Sequence, residues 1–138
     1  RIVYNLCELI KMYDDEMNVL VCEDDPGIQD LMEIMLQDME FDVLKCDNQE
    51  SVKELMSKEK IDLVIMDYWL SDGKADEVII ETKKKFPKVP ILVVSADTNL
   101  DEVVKKLEVN DYLKKPFDII EFQSKIKELS DGTNNSSN

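Results

Sequence analysis

Side chains suited to phosphate chemistry stand at the ends of four apolar runs. NVLVC (18–22) leads into Glu23, Asp24 and Asp25, and IDLVIMD (61–67) stops at Asp67. VPILVVS (89–95) stops at Ser95, and NDYL (110–113) runs into Lys114 and Lys115 before Pro116. A buried aspartate without partners costs several kcal/mol, so such a group sits at a strand end or finds company. Two carboxylates about 4 Å apart repel by about 4 kcal/mol at an effective dielectric of about 20, so three gather only around a cation. Mg²⁺ suits them, because it takes few protein carboxylates and leaves positions for phosphate oxygens. Asp67 is then a carboxylate nucleophile able to attack phosphorus and form an acyl phosphate. Glu23 and Asp24 hold the ion, a lysine ammonium pairs with one phosphoryl oxygen, and the Ser95 hydroxyl donates to another. Taken singly, each has a plainer reading: Asp67 closes a strand at a turn, Ser95 ends a strand, Lys115 is solvated. Asp25 before Pro26 reads as a helix N-cap rather than a ligand, and Lys114 as solvent-exposed.

The elements that must position these groups alternate. The first run is followed by Pro26 and an apolar stripe of Ile28, Leu31, Met32, Met35, Leu36 and Met39 at helical spacing. FDVLKC reads as a second strand, with Asp47 and Glu50 spaced as a capping box for a helix carrying Val52, Leu55 and Met56. Asp67 ends the third strand, whose helix carries Ala75, Val78, Ile79, Thr82 and Phe86. Ser95 ends the fourth, followed by Leu100, Val103, Val104 and Leu107. NDYL is a short fifth, and Asp118 with Glu121 opens a last helix burying Ile119, Phe122, Ile126 and Leu129. Strand–helix alternation of this kind predicts an α/β fold with right-handed crossovers: a doubly wound, five-stranded parallel sheet, flavodoxin-like, with strand order 2-1-3-4-5 and helices on both faces. All the groups above then lie on one sheet edge, flanking the switch point between strands one and three.

Composition narrows the chemistry. The 138 residues suit one domain, and 17 basic against 31 acidic residues leave a net charge of −14, which argues against nucleic-acid binding. No run approaches the roughly 20 apolar residues that cross a bilayer. With no histidine, imidazole triads and metal sites are excluded, and Gly27, Gly73 and Gly132 cannot assemble a P-loop or a dinucleotide fingerprint. Cys7, Cys22 and Cys46 lack metal-ligand spacing; Cys22 and Cys46 fall in apolar runs and read as buried, reduced thiols of a cytoplasmic protein. Residues 1–16, with Ile2, Leu6, Leu9 and Tyr13 at helical spacing, read equally as an N-terminal extension, a partner-binding helix or a cloning remnant. Residues 17–130 form the domain, and 131–138 a polar tail expected to be disordered.

These motifs resemble the receiver domain of two-component response regulators, over about residues 17–130. VLVCEDD matches that family's first strand and acidic pair at Glu23 and Asp24, and IDLVIMD places the phosphoacceptor on Asp67. ILVVSA places the hydroxyl on Ser95, and DYLKKPF the lysine on Lys115 and the switch aromatic on Tyr112. The resemblance implies a Mg²⁺ site made by Glu23, Asp24, Asp67 and the Trp69 backbone carbonyl. It further implies a histidine kinase or phosphotransfer protein as donor, and a downstream partner on the fourth helix, fifth strand and last helix, switched through Ser95 and Tyr112. Three positions depart from the pattern: Ser71 for a proline, Ala75 for a glycine, and Glu108-Val109 for Gly-Ala.

The expected function is a signalling switch with self-phosphorylation and self-dephosphorylation chemistry, not an enzyme with a separate substrate. Two alternatives stand beside it. One is a phosphorelay intermediate that passes phosphate to another protein's histidine. The other is an aspartate-nucleophile phosphatase, which needs a second aspartate where this chain has Trp69. Trp69 itself reads either as a shield over the acyl phosphate or as packing outward against the following loop. Tyr112 reads equally as a switch or as ordinary packing.

Overall fold

In the computed structural model, the described residues are Val3, Asn5, Leu6, Leu9 and residues 17–135. The expectations for Cys7, for Ile2 and Tyr13 of the N-terminal stripe and for residues 136–138 of the tail lie outside them. Five parallel strands form the main sheet: β1 (Asn18–Cys22), β2 (Asp42–Cys46), β3 (Leu63–Asp67), β6 (Ile91–Ser95) and β7 (Asp111–Lys114), in the order β2-β1-β3-β6-β7. This is the expected 2-1-3-4-5 order. The numbering skips because a short antiparallel hairpin, β4 (Trp69–Leu70) and β5 (Gly73–Lys74), follows β3. Its turn is Asp72-Gly73, where Gly73 takes φ +121°, a conformation that a side chain would strain. Crossing the sheet are α1 (Pro26–Asp38), α2 (Gln49–Lys58), α3 (Asp76–Lys85), α4 (Leu100–Leu107) and α5 (Ile119–Asn135).

Side chains alternate across the strands, so the sheet divides two hydrophobic cores. Val19, Val21, Leu63, Ile65, Leu92 and Val94 pack with Met32, Met35 and Leu36 of α1 and with Phe122 and Ile126 of α5. Leu20, Cys22, Val64, Met66, Ile91 and Val93 pack with α2, α3 and α4 through Val52, Met56, Val78, Ile79, Leu100, Val103 and Leu107. Each fully buried aliphatic contributes about 1.5–3 kcal/mol relative to exposure, which is why the apolar runs become central strands covered on both faces.

Some local expectations are corrected. The cap of α2 is Asn48, whose Oδ1 accepts from the Ser51 amide at 2.9 Å, rather than Asp47 one residue earlier. Either residue has a capping side chain, and the register of the β2–α2 turn selects the second. Leu31 and Ile119 are 45% and 55% exposed, because they fall at the margin of their helices' apolar stripes. The last helix continues to Asn135, so residues 131–135, expected in the tail, lie within it. Other caps are as expected: Asp25 Oδ1 accepts from Gly27 and Ile28 at 2.9 and 3.1 Å, and Asp118 from Glu121 at 2.7 Å.

Candidate functional site

Parallel strands end on the same edge, so β1, β3, β6 and β7 deliver Glu23, Asp67, Ser95 and Lys115 to one place. Glu23 is tied there by its amide, which donates to the Cys46 carbonyl at 3.1 Å. Gln29, one turn into α1, donates to the Glu23 and Cys46 carbonyls at 3.1 and 2.9 Å, binding the ends of β1 and β2 to the helix. Carboxylate oxygens of Glu23, Asp24 and Asp67 lie within 4.8 Å of one another. Glu23 and Asp67 are buried, whereas Asp24 is exposed.

Among the described residues, one cation answers this charge. Lys115 Nζ donates to both Glu23 oxygens at 3.0 Å and to Asp67 Oδ2 at 3.4 Å. Its amide donates to the Ser95 carbonyl at 2.8 Å, anchoring the lysine beside β6. The Lys115–Pro116 peptide is cis. Burial works against the charge on Lys115, but its contacts with Glu23 and Asp67 outweigh that and hold its pKa above the ordinary value. A single ammonium does not balance three carboxylates. Burial first, and then the Glu23 charge, push Asp67 up to about 7 against the pull of Lys115. An excess of negative charge in a buried site, with an exposed carboxylate at its rim, is what a divalent cation fits.

The mouth of the site is built from loops. The Trp69 amide donates to Asp67 Oδ1 at 3.2 Å. Its indole, 47% exposed, reaches across the mouth and donates from Nε1 to Asp97 Oδ2 at 2.6 Å. Lys74 Nζ stands 5.0 Å over the same ring. Asp97 in turn donates its amide to Ser95 Oγ at 3.1 Å. Tyr68, buried behind Asp67, donates its hydroxyl to Asp76 at 2.9 and 3.0 Å, closing the hairpin onto α3. Burial and that carboxylate push the Tyr68 phenol up to about 12. Asp72 and Ser71 fasten the hairpin to the start of α2, through the Gln49 amide at 3.0 Å and the Asp47 carbonyl at 3.3 Å.

The structure thus gathers Glu23, Asp24, Asp67, Ser95 and Lys115, with the Trp69 amide on Asp67 and its indole on Asp97. Lys114 points to solvent, and Asp25 caps α1. Tyr112 is separate: it pairs in register with Val93, and a hydrogen bond to Asp101 at the start of α4 is the main cause raising its phenol pKa. Lys125 Nζ lies 5.8 Å above its ring. Sequence reading missed Asp97, Gln29 and Tyr68. None of the three carried a local signal: Asp97 stands two residues beyond Ser95, but its partner Trp69 is 28 residues away in the chain.

A parallel five-stranded α/β sheet with an acid cluster, a hydroxyl and a lysine on its carboxyl edge defines the class of doubly wound proteins whose ligand site lies at that edge. A family model for the response regulator receiver domain matches residues 19–127, and the chain belongs to that family. Response regulator protein PilR of Pseudomonas aeruginosa is 30% identical over 102 residues, covering 72% of this chain and 23% of PilR. Three such curated relatives are covered over only 22% to 49% of their own length. The fold is shared with a CheY-like receiver domain protein from Methanospirillum hungatei, at a TM-score of 0.83 and 20% identity over 88% of this chain and 99% of that one. It is shared too with the receiver domain of a sensor histidine kinase from P. aeruginosa, whose structure has a magnesium ion in its active site cleft. That likeness has a TM-score of 0.76 and 24% identity over 83% of this chain and 98% of that one.

The Asp67 environment makes stability depend on pH. Folded Asp67 takes up its proton near 7, against 3.8 for the ordinary group. Between those values the folded chain holds more protons than the unfolded one, so stability falls as pH rises and the full cost is present above 7. Asp67→Asn removes the cost. Without divalent cations, urea unfolding at pH 8 should show a gain on the order of 2 kcal/mol, shrinking toward zero near pH 4. A gain that did not vary with pH would contradict this cause.

Proposed function

We propose that the protein is a phosphorylation switch rather than an enzyme with a separate substrate. Phosphate passes, with Mg²⁺, from a partner histidine kinase or phosphotransfer protein to Asp67. The observation that carries this reading is the Lys115 ammonium set between Glu23 and Asp67 on an edge that also holds Asp24 and Ser95. Glu23, Asp24, Asp67 and the Trp69 carbonyl are the groups to hold the metal, which supplies neutralisation of charge on the phosphoryl oxygens. An Asp67 oxygen attacks phosphorus as the bond to the donor nitrogen breaks, and in-line geometry is imposed by the walls of the site. The Trp69 amide keeps Oδ1 oriented. Lys115 exchanges a carboxylate oxygen for a phosphoryl oxygen, and the Ser95 hydroxyl donates to another.

The phosphate adds about 2 negative charges where a carboxylate stood, and its pairing with Lys115 and Ser95 biases the β6–α4 loop. Moving a population from 1:99 to 99:1 takes about 5.5 kcal/mol of differential stabilisation, more than one hydroxyl supplies, so the lysine pair is essential to the response. The output surface is α4, β7 and α5 around Tyr112, whose tie to Asp101 links it to that loop's helix.

Incubation with a small acyl-phosphate donor and Mg²⁺ should add one phosphate per chain by intact mass, lost at alkaline pH. Asp67→Ala should take none; undiminished labelling of that variant would sink the assignment. Lys115→Ala should remain phosphorylatable by a partner kinase but lose phosphorylation-dependent binding of the downstream protein by at least about tenfold. Binding that still responded normally would remove the lysine from the switch.

The indole held by Asp97 hinders the approach of water to the acyl phosphate and offers no group to orient it. Loss of phosphate should therefore be slow, and Trp69→Asn should accelerate it severalfold when followed by decay of the labelled species. An unchanged rate would show that the ring does not shield the bond.

A further inference from the structure

Cys22 ends β1 and Cys46 ends β2, and the two are direct partners in the parallel register. Registered partners send their side chains to the same face, and both enter the core shared with α2, α3 and α4. The Cys22 thiol donates to the Asn48 carbonyl at 3.7 Å, on the loop that leaves Cys46. Neighbouring strands stand about 4.8 Å apart, inside the range of Cα separations that a disulfide spans. Neither cysteine has a part in the phosphate chemistry, and both are free thiols.

Their access to solvent differs. Cys22 is 1% exposed, while Cys46 is 7% exposed and lines a groove of about 490 Å³ with Glu23, Asp24, Gln29, Asp47 and Ser51. Of the two, Cys46 is therefore the one a small oxidant in that groove can approach, with Cys22 beside it in the register.

We propose that Cys46 and Cys22 are a reversible oxidation site, Cys46 being the sulfur attacked by hydrogen peroxide and Cys22 the one that resolves it into a disulfide. In the first step the Cys46 thiolate forms a bond to one peroxide oxygen as the O–O bond breaks. The departing hydroxide leaves as water with the proton that the thiol had lost, and Cys46 becomes a sulfenic acid. In the second step the Cys22 sulfur bonds to the Cys46 sulfur and the S–O bond breaks, the hydroxide leaving as water with the Cys22 proton. One peroxide is reduced and two thiols are oxidised.

The bond reports on the acid site because Glu23 follows Cys22 directly and its amide hangs on the Cys46 carbonyl. Drawing the two sulfurs to bonding distance shifts that strand end, and with it Glu23 and Asp24. The oxidised protein should therefore bind Mg²⁺ at least about threefold more weakly, read by Trp69 fluorescence.

The full chain carrying Cys7→Ser, treated with hydrogen peroxide, should lose two hydrogens by intact mass and regain them with dithiothreitol. Peptide mapping without reductant should give one cross-linked species containing residues 22 and 46. Cys22→Ala should stop at a sulfenic acid on Cys46, trapped by a dimedone reagent, and Cys46→Ala should form neither product. Mapping the parent protein needs neither core variant, so the outcome stands if those variants fold poorly. Absence of the cross-linked peptide overturns the proposal, as does a Mg²⁺ affinity that is equal in the two redox states. Failure of the reduced protein to bind Mg²⁺ overturns the metal reading instead, leaving the mass result to decide the cysteines.

Discussion

Everything at the carboxyl edge depends on one imbalance: among the described residues, three carboxylates face a single ammonium. Lys115 reaches back from the end of β7 to hold Glu23 and Asp67 together, spanning β6 and β3 on the way. Removing either partner would leave a charge buried and unanswered, which costs far more than an exposed ion pair returns. The arrangement is therefore stable enough to preform and still electrically incomplete. That incompleteness raises the Asp67 pKa and leaves the site short of positive charge.

The rest of the fold serves to hold this imbalance in place. Parallel pairing with matched register brings four strand ends level, so groups separated by up to 92 residues, such as Glu23 and Lys115, meet within 3.0 Å. Gln29 and the caps of α1 and α2 satisfy the backbone where β1 and β2 give way to loops. Across the mouth, Tyr68 and Asp72 clamp the hairpin that carries Trp69, so the indole rests on a fixed platform. Rigid elements thus surround a charged, underbalanced centre.

What the chain discloses before folding follows the same division. The strand order and the gathering of Glu23, Asp24, Asp67, Ser95 and Lys115 were legible, because apolar runs ending in polar residues constrain both strand placement and edge chemistry. Leu31 and Ile119 misled, since helical spacing marks a stripe but not where its margin meets solvent. Asn48 replaced Asp47 as the cap because two adjacent residues with equivalent oxygens are separated only by the turn between them. Asp97 and Gln29 were silent for a different reason. Each acts through a contact across the sheet edge, to an indole or to two carbonyls, and no local pattern encodes a partner that distant.

The sheet that divides the two cores has a consequence for how such a chain tolerates change. Side chains beneath α1 and α5 share no cavity with those beneath α2, α3 and α4, so volume lost on one side cannot be refilled from the other. Substitutions in opposite cores should accumulate almost independently, while neighbours within one core compensate or compound one another. The molecule behaves as two half-proteins bolted to a common wall. Its reactive edge is the one place where drift in both halves is felt at once.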